Sequence, residues 1–315
     1  MTDAIDVHAH FLPDFYRDAL LTNGHEQPDG FPYIPEWSAP EHVAAMDRLG
    51  IASSLLSISS PGIHFGEVAI TKDLARAVNE EGRRAVVDHP GRFGLFATLP
   101  LPDVDAAMAE IAHCSDRLDV VGFALLTNVA GTYLGDTSLR PVFAELDRRR
   151  ARVFIHPTSP PCWEHTALGR PRPMLEFLFD TTRAVVDLIL SSVVAAHPGI
   201  EFIIPHAGAT LPMVADRISV FSMILDVPDG VDVLGDLGRL HFDLAGYPLP
   251  RQLDSLLTLT SLEHLHYGSD YPFTPEFAAA ASRERLAEVD DPVALFETLR
   301  ANTERLFPSL APSDG

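Results

Sequence analysis

The chain has 315 residues, of which 46% are hydrophobic and 21% are charged, and its formal net charge is −21 at pH 7. This acidic balance excludes nucleic acid and anionic membrane as favoured partners, because phosphate groups are bound by basic stripes. The length suits one folded domain with an ample core, which we expect to comprise residues 1–315. We expect neither a membrane span nor a secretory leader, and therefore a cytoplasmic protein.

Short apolar runs alternate along the chain with longer helical patterns. We predict eight strands, at Ile5–His8, Ile51–Ile58, Phe93–Leu99, Val120–Leu126, Val153–His156, Phe202–Pro205, Leu240–Leu244 and His264–Gly268. The predicted helices are Pro40–Leu49, Val68–Asp88, Asp103–Ser115, Leu139–Arg149, Leu175–Ala196, Leu211–Leu225, Pro250–Leu257, Pro275–Glu288 and Pro292–Arg305. Alternation of strand and helix over this length predicts an α/β fold, a (β/α)8 TIM barrel.

Two connections are unusually long and rich in turn residues. Residues 11–39 follow the first strand and contain Pro28-Asp29-Gly30, and residues 158–173 follow the fifth strand. Both leave the carboxyl ends of strands, which is the rim where barrel active sites form. We interpret them as rim insertions that act as lids.

Side chains that can bind a metal close several of the predicted strands. His8 and His10 face the same side of the first strand, because alternate strand residues do. His156 closes the fifth strand and Asp270 follows the eighth. Parallel barrel strands end at one rim, so we predict that these four side chains bind one divalent ion, zinc or alternatively manganese, with a position left open for catalysis. His206 closes the sixth strand and is the predicted acid/base beside that position.

The other chemically active residues are interpreted as structural. Nine further histidines fall in loops, on helices or at strand starts, namely His25, His64, His89, His113, His165, His197, His241, His264 and His266. The single lysine, Lys72, lies on a predicted helix, so a two-metal site bridged by a carbamylated lysine is not expected. Cys114 and Cys162 are interpreted as reduced thiols, with a Cys162 nucleophile as the alternative.

With these residues placed, the chain resembles the amidohydrolase superfamily, and within it the aminocarboxymuconate-semialdehyde decarboxylase family. The resemblance is carried by the segments IDVHAHFLP (5–13), RFG (92–94), FIHP (154–157), HAG (206–208), DRIS (216–219) and GSDYPF (268–273). It implies that His8, His10, His156 and Asp270 are the metal ligands and that His206 is the acid/base. It also implies a nonoxidative decarboxylation that needs no organic cofactor.

The resemblance further implies a homodimer in which Arg217 reaches a substrate carboxylate in the neighbouring subunit, with a helix-surface ion pair as the alternative. His42 stands where the family has a second carboxylate-binding arginine, so it is expected to contact the substrate, and its replacement of the arginine indicates a substrate with one carboxylate. Segments 35–38, 56–62, 125–128 and 242–246 are most similar to the 6-methylsalicylate decarboxylases of the family. We therefore predict conversion of 6-methylsalicylate, or a related salicylate, to 3-methylphenol and CO2. Phe273 and Trp37 are the predicted walls around the ring.

Loss of CO2 from an aromatic ring requires prior protonation of the carboxyl-bearing carbon, because cleavage then restores aromaticity. We predict Asp270 as the acid, with a water held by His206 at the metal as the alternative. A hydrolase of a small lactone or amide is the second functional hypothesis, and the release of CO2 discriminates between the two. A noncatalytic binding barrel is the third hypothesis, which an open metal position beside a histidine disfavours.

Overall fold

A computed structural model describes residues 3–310. Eight parallel strands form one sheet whose neighbours follow the order of the chain. They are β1 (Ala4–His10), β2 (Ile51–Ser57), β3 (Phe93–Thr98), β4 (Gly122–Leu126), β7 (Arg152–His156), β8 (Glu201–Ile204), β9 (His241–Asp243) and β10 (Leu265–His266). The two remaining strands, β5 (Asn128–Val129) and β6 (Thr132–Tyr133), form a separate antiparallel hairpin between β4 and β7 in the chain. The Val7 amide donates to the Tyr267 carbonyl at 2.9 Å, and this contact joins β1 to the segment after β10 and closes the barrel.

Helices surround the sheet and connect successive strands. They are α1 (Asp14–Thr22), α2 (Ala39–Leu49), α3 (Val68–Asp88), α4 (Val104–His113), α5 (Arg140–Arg148), α6 (Trp163–Thr166), α7 (Glu176–Leu190), α8 (Val193–Ala196), α9 (Leu211–Ser222), α10 (Val233–Gly238), α11 (Gln252–Leu256), α12 (Glu276–Leu286) and α13 (Pro292–Leu306). None of the helices within residues 3–310 combines the length and the apolar character that crossing a bilayer requires.

The prediction of a (β/α)8 barrel with eight strands is confirmed, but the helical predictions need correction, and the short helices α6 and α10 were not predicted. The predicted helix Leu175–Ala196 is divided, because Ser192 adopts a left-handed φ of 64° between α7 and α8. Residues 11–39 include α1, which the sequence analysis missed. Tyr16 and Leu20 lie four residues apart on this helix and are buried, a spacing that indicates one apolar helix face.

The barrel interior is filled by one side chain from each of six strands. These residues are Val7, Leu55, Phe96, Ala124, Phe154 and Ile203, and they pack with Leu306 and Phe307. A second and larger apolar cluster lies between the sheet and the helices. The Phe154 ring contacts the His8 ring at a centroid distance of 4.8 Å, so this apolar layer supports the carboxyl-terminal rim from below.

Candidate metal centre

Strand ends far apart in the sequence bring four potential ligands together at the rim. The ligand atoms of His8, His10, His156 and Asp270 all lie within 4.8 Å of one another. His8 Nε2 lies 3.1 Å from His10 Nε2, and Asp270 Oδ1 lies 3.1 Å from His10 Nε2 and 3.4 Å from His8 Nε2. The three imidazoles are buried, and Asp270 is partly exposed at the rim.

The second nitrogens of these imidazoles are held by acceptors. His156 Nδ1 donates to the Pro157 carbonyl at 2.8 Å, and His10 Nδ1 lies 3.4 Å from the carbonyl oxygen and 3.0 Å from the hydroxyl of Ser57. A carbonyl oxygen only accepts, so the proton of a neutral ring is on Nδ1 and the Nε2 lone pair faces the cluster. Three nitrogens and one carboxylate oxygen suit one divalent transition ion, so the residues present fit a metal.

Asp243, which the sequence analysis missed, connects the cluster to His206. It is fully buried, and its Oδ2 accepts from His8 Nδ1 at 2.8 Å. Its Oδ1 accepts from the backbone amides of His206 and Ala245, both at 3.0 Å. One carboxylate therefore orients a potential ligand and the loop that carries the predicted acid/base. Asp243 closes β9, the seventh strand of the barrel, and a position at a strand end is the same sequence signal that pointed to His156 and Asp270.

His206 is held in an unusual backbone conformation. Its φ is 55°, in the left-handed region that side chains rarely adopt. The Gln252 side-chain amide donates to the His206 carbonyl at 2.5 Å, and this residue was also missed in the sequence analysis. His206 Nε2 lies 3.7 Å from Asp270 Oδ2, whereas the other oxygen of this carboxylate, Oδ1, faces His10. The predicted acid/base therefore lies beside the Asp270 oxygen that does not face His10. Such strain persists when several surrounding contacts fix it, as it commonly does at active sites.

The charges of the site favour a bound cation. Burial raises the pKa of Asp270, but the charge of His8 and hydrogen bonds from His10, His206 and His8 hold it well below its ordinary value. Burial, together with the neighbouring imidazoles, lowers the pKa of His156 well below its ordinary value. Burial also lowers the pKa of His8, but the carboxylates of Asp243 and Asp270 raise it to about 10. The carboxylates thus create a place for positive charge, which a divalent ion satisfies.

A cavity of about 450 Å³ opens above the cluster. His156, His206 and Asp270 line it, together with Phe273, which was predicted to form a wall. Both rim insertions contribute further lining residues, namely Pro28, Asp29, Phe31 and Pro32 from the first and Pro171 and Pro173 from the second. The cavity therefore has a polar, metal-binding end and mainly apolar sides, an arrangement typical of small-molecule sites.

His42 and Trp37, which were expected to contact the substrate, are not among the residues that line this cavity. Trp37 Nε1 donates to His42 Nδ1 at 2.8 Å, and the His42 ring packs 4.7 Å from Tyr271. His42 is buried because it shares the inner face of α2 with Met46 and Leu49. Burial lowers its pKa to about 3, so His42 is neutral and cannot pair with a carboxylate as an arginine would.

Arg217 also lies outside the cavity of its own chain. It is exposed on α9, and its guanidinium carbon lies 4.9 Å from the centre of the Phe221 ring. Large apolar side chains around it are exposed as well, among them Met213, Val220 and Ile224. Within residues 3–310 no carboxylate forms an ion pair with Arg217, so the alternative of a helix-surface ion pair is not seen.

We predict that Asp243→Asn lowers the affinity for the metal by about 10- to 100-fold, because an amide no longer supplies the charge that orients His8. The measurement is a competition titration of the purified variant against a coloured chelator. Asp187→Asn is the matched control, since Asp187 also accepts a backbone amide, from Gly135 at 2.8 Å, but contacts none of the four potential ligands. A folded Asp243→Asn protein with wild-type metal affinity would contradict the role given to Asp243.

Known proteins resemble this chain over most of its length. It is 33% identical over 323 residues to 6-methylsalicylic acid decarboxylase from Aspergillus aculeatus, with 97% of this chain and 96% of the relative covered. It is 34% identical to 6-methylsalicylic acid decarboxylase from Penicillium expansum, with 87% and 86% covered. A crystal structure described as amidohydrolase II has a TM-score of 0.92 at 35% identity, with 97% of this chain and 99% of that chain covered. The amidohydrolase family model matches residues 5–308, and the chain belongs to this family.

Proposed function

We propose that this protein is a metal-dependent, nonoxidative decarboxylase of a salicylate-type aromatic acid, with 6-methylsalicylate as substrate and 3-methylphenol and CO2 as products. The observation that carries the proposal is the convergence of three imidazoles and one carboxylate at the closed end of a mainly apolar cavity. The two relatives named above support the substrate class, because both act on 6-methylsalicylic acid according to their names and exceed 30% identity.

The proposed metal ligands are His8, His10, His156 and Asp270. We propose zinc as the ion, with manganese as the alternative, because both accept imidazole nitrogen and carboxylate oxygen. When bound there, the ion supplies Lewis acidity and fixed positive charge for the carboxylate and the ortho hydroxyl of the substrate. No organic cofactor is required, since the electrons of the broken bond return to the ring.

Proton delivery is assigned to Asp270 and His206. Asp270 Oδ1 faces His10, whereas Asp270 Oδ2 faces His206 and the Thr274 hydroxyl, 3.3 Å away. We propose that His206 Nε2 passes a proton to Asp270 Oδ2, which then protonates the carboxyl-bearing ring carbon. A carboxyl whose pKa is held low gives up its proton readily, so Asp270 would hold the proton only transiently between His206 and the ring carbon. Cleavage of the C–C bond then releases CO2 and restores the aromatic ring.

The apolar sides of the cavity fit an aromatic ring with one alkyl substituent. Phe273 lies three residues beyond Asp270, and its ring centre is 5.7 Å from that of His10. Phe31, from the first rim insertion, lies 6.0 Å from Phe273. These rings provide a surface that excludes water from the reacting carbon and places the substrate ring beside Asp270. We propose that both rim insertions act as lids over this site.

We also propose that the protein works as a homodimer in the cytoplasm, with each chain acting as one domain. The exposed apolar side chains around Arg217 suit an interface between subunits. Arg217 would then extend across that interface to the substrate carboxylate of the neighbouring site. A planar guanidinium suits this role, because it binds a carboxylate through two parallel hydrogen bonds.

The reaction is tested by assaying a panel of hydroxybenzoates for trapped CO2 and for the phenol formed. We expect 6-methylsalicylate to be the best substrate and salicylate without the methyl group to be slower, because the apolar wall is then left unfilled. A dicarboxylate should be slower still. Hydrolysis of a small lactone or amide, with no CO2 from any hydroxybenzoate, would instead establish the hydrolase hypothesis.

His206→Ala should separate chemistry from metal binding. We expect the variant to keep its metal and to lose about 10²- to 10⁴-fold in turnover, the usual range for a positioned acid or base. Elemental analysis and steady-state kinetics on the same preparation provide the check. Loss of the ion from His206→Ala would make His206 a ligand and contradict its role beside the metal.

Arg217 links activity to assembly. If Arg217 serves the neighbouring site, mixing the inactive variants Arg217→Ala and Asp270→Ala should restore activity, because each hybrid dimer then contains one complete site. Activity is measured after subunit exchange has been confirmed by mass spectrometry, and each variant incubated alone is the control. Exchange without recovered activity would exclude a role for Arg217 across the interface.

A further inference from the structure

A second cavity, of about 230 Å³, lies at the same rim beside the metal-binding cavity. Its walls are mainly apolar and include Leu99, Leu101, Leu125, Leu126, Pro161 and Trp163. Within the described part of the chain, no Asp, Glu, Lys or Arg lines it. Two of its polar side chains already have partners, since Asn128 Nδ2 bonds Asp180 at 3.0 Å and His64 Nδ1 bonds Thr71 at 3.2 Å. An uncharged, apolar occupant therefore suits this cavity best.

The two cavities are separated by two hydrogen-bonded pairs of side chains, which we call the septum. Ser60 Oγ lies 2.7 Å from Thr158 Oγ1, and Ser159 Oγ donates to Asp29 Oδ1 at 2.5 Å. Asp29 and Ser60 line the metal-binding cavity, whereas Thr158 and Ser159 line the second cavity. The septum thus consists of three hydroxyl side chains and the Asp29 carboxylate, and Arg172 Nε donates to Ser159 Oγ at 3.0 Å. It lies between two spaces with mainly apolar walls.

The septum lies near the metal end of the cavity. Thr158 follows His156 by two residues, and Ser60 follows Ser57 by three. Ser57 is itself fixed beside a potential ligand, because its hydroxyl lies 3.0 Å from His10 Nδ1. A ring that is held by its carboxylate at the metal end therefore has substituents within reach of the septum.

We propose that the second cavity is an alkyl subsite that the Ser60–Thr158 pair closes off from the metal-binding cavity, and that this pair limits the alkyl group on the substrate ring to a methyl. The inference rests on the proposed decarboxylase function and adds its substrate class, the 6-alkylsalicylates. With the pair intact, the enzyme prefers a methyl group. Without the pair, chains of three carbons enter the second cavity and exchange water for apolar walls.

The test compares kcat/KM for 6-propylsalicylate and 6-methylsalicylate in the metal-loaded enzyme. We expect the propyl-to-methyl ratio to rise at least about tenfold in Ser60→Ala/Thr158→Ala, since extra methylenes in an apolar pocket change specificity by about 10- to 200-fold. Thr158→Ser keeps a hydroxyl and should retain the wild-type ratio. Adding Val129→Phe to the double variant should reverse the gain, because Val129 lines the second cavity and the larger ring fills it.

Thr182→Ala is the matched control, because the Thr182 and Thr210 hydroxyls form a similar pair at 2.7 Å and line neither cavity. Metal content and melting temperature verify that each variant is folded. Calorimetric binding of both acids to the same proteins gives the ratio without turnover. A wild-type enzyme that releases no CO2 from any hydroxybenzoate would refute the decarboxylase proposal alone. An unchanged propyl-to-methyl ratio, in kinetics and in binding, would overturn the subsite.

Discussion

The structure depends on the electrostatic balance of a buried group of imidazoles and carboxylates at the carboxyl end of the barrel. Asp6, His8 and Asp243 are fully buried, and Asp270 faces the histidines at the rim. Buried charges are costly unless they are paired or bind a metal. A divalent ion held by His8, His10, His156 and Asp270, as proposed, would complete this balance. The same ion would attract the proposed anionic substrate, which the net charge of −21 otherwise repels.

Two buried carboxylates, Asp6 and Asp243, fix the positions of the proposed metal ligands through hydrogen bonds. Asp6 accepts the His8 amide at 3.0 Å and the Ser269 hydroxyl at 2.5 Å, and so fixes the turn that leads to Asp270. Asp243 holds His8 and the His206 loop together. His206 and Asp270 both have left-handed backbone angles, with φ of 55° and 58°. These hydrogen bonds compensate for the strain, and they fix the relative position of the proposed proton donors.

Much of this arrangement was predictable because strand periodicity and barrel geometry determine it. The parallel order of the strands follows from their alternation with helices, and it brings His8, His156 and Asp270 to one rim. The burial of His42 could also have been predicted from the sequence, because His42, Met46 and Leu49 repeat with helical spacing. The comparison with a family arginine suggested a binding role instead.

Other features required the folded chain. The septum joins Ser60 to Thr158 across 98 residues, and no local pattern indicates this contact. The break between α7 and α8 depends on the left-handed conformation of Ser192, a residue type that tolerates helix interiors. The direction of Arg217 depends on how α9 packs against the barrel, which its sequence spacing from His206 does not fix.

The central claim is that one divalent ion, bound by three histidines and Asp270, is required for release of CO2. It is tested most directly by measuring metal content and CO2 release in the same preparation during stepwise removal and return of the ion. The account predicts that activity follows occupancy and saturates at about one ion per chain, as expected for a mononuclear catalytic site. Full activity in a preparation shown to be free of metal would contradict it.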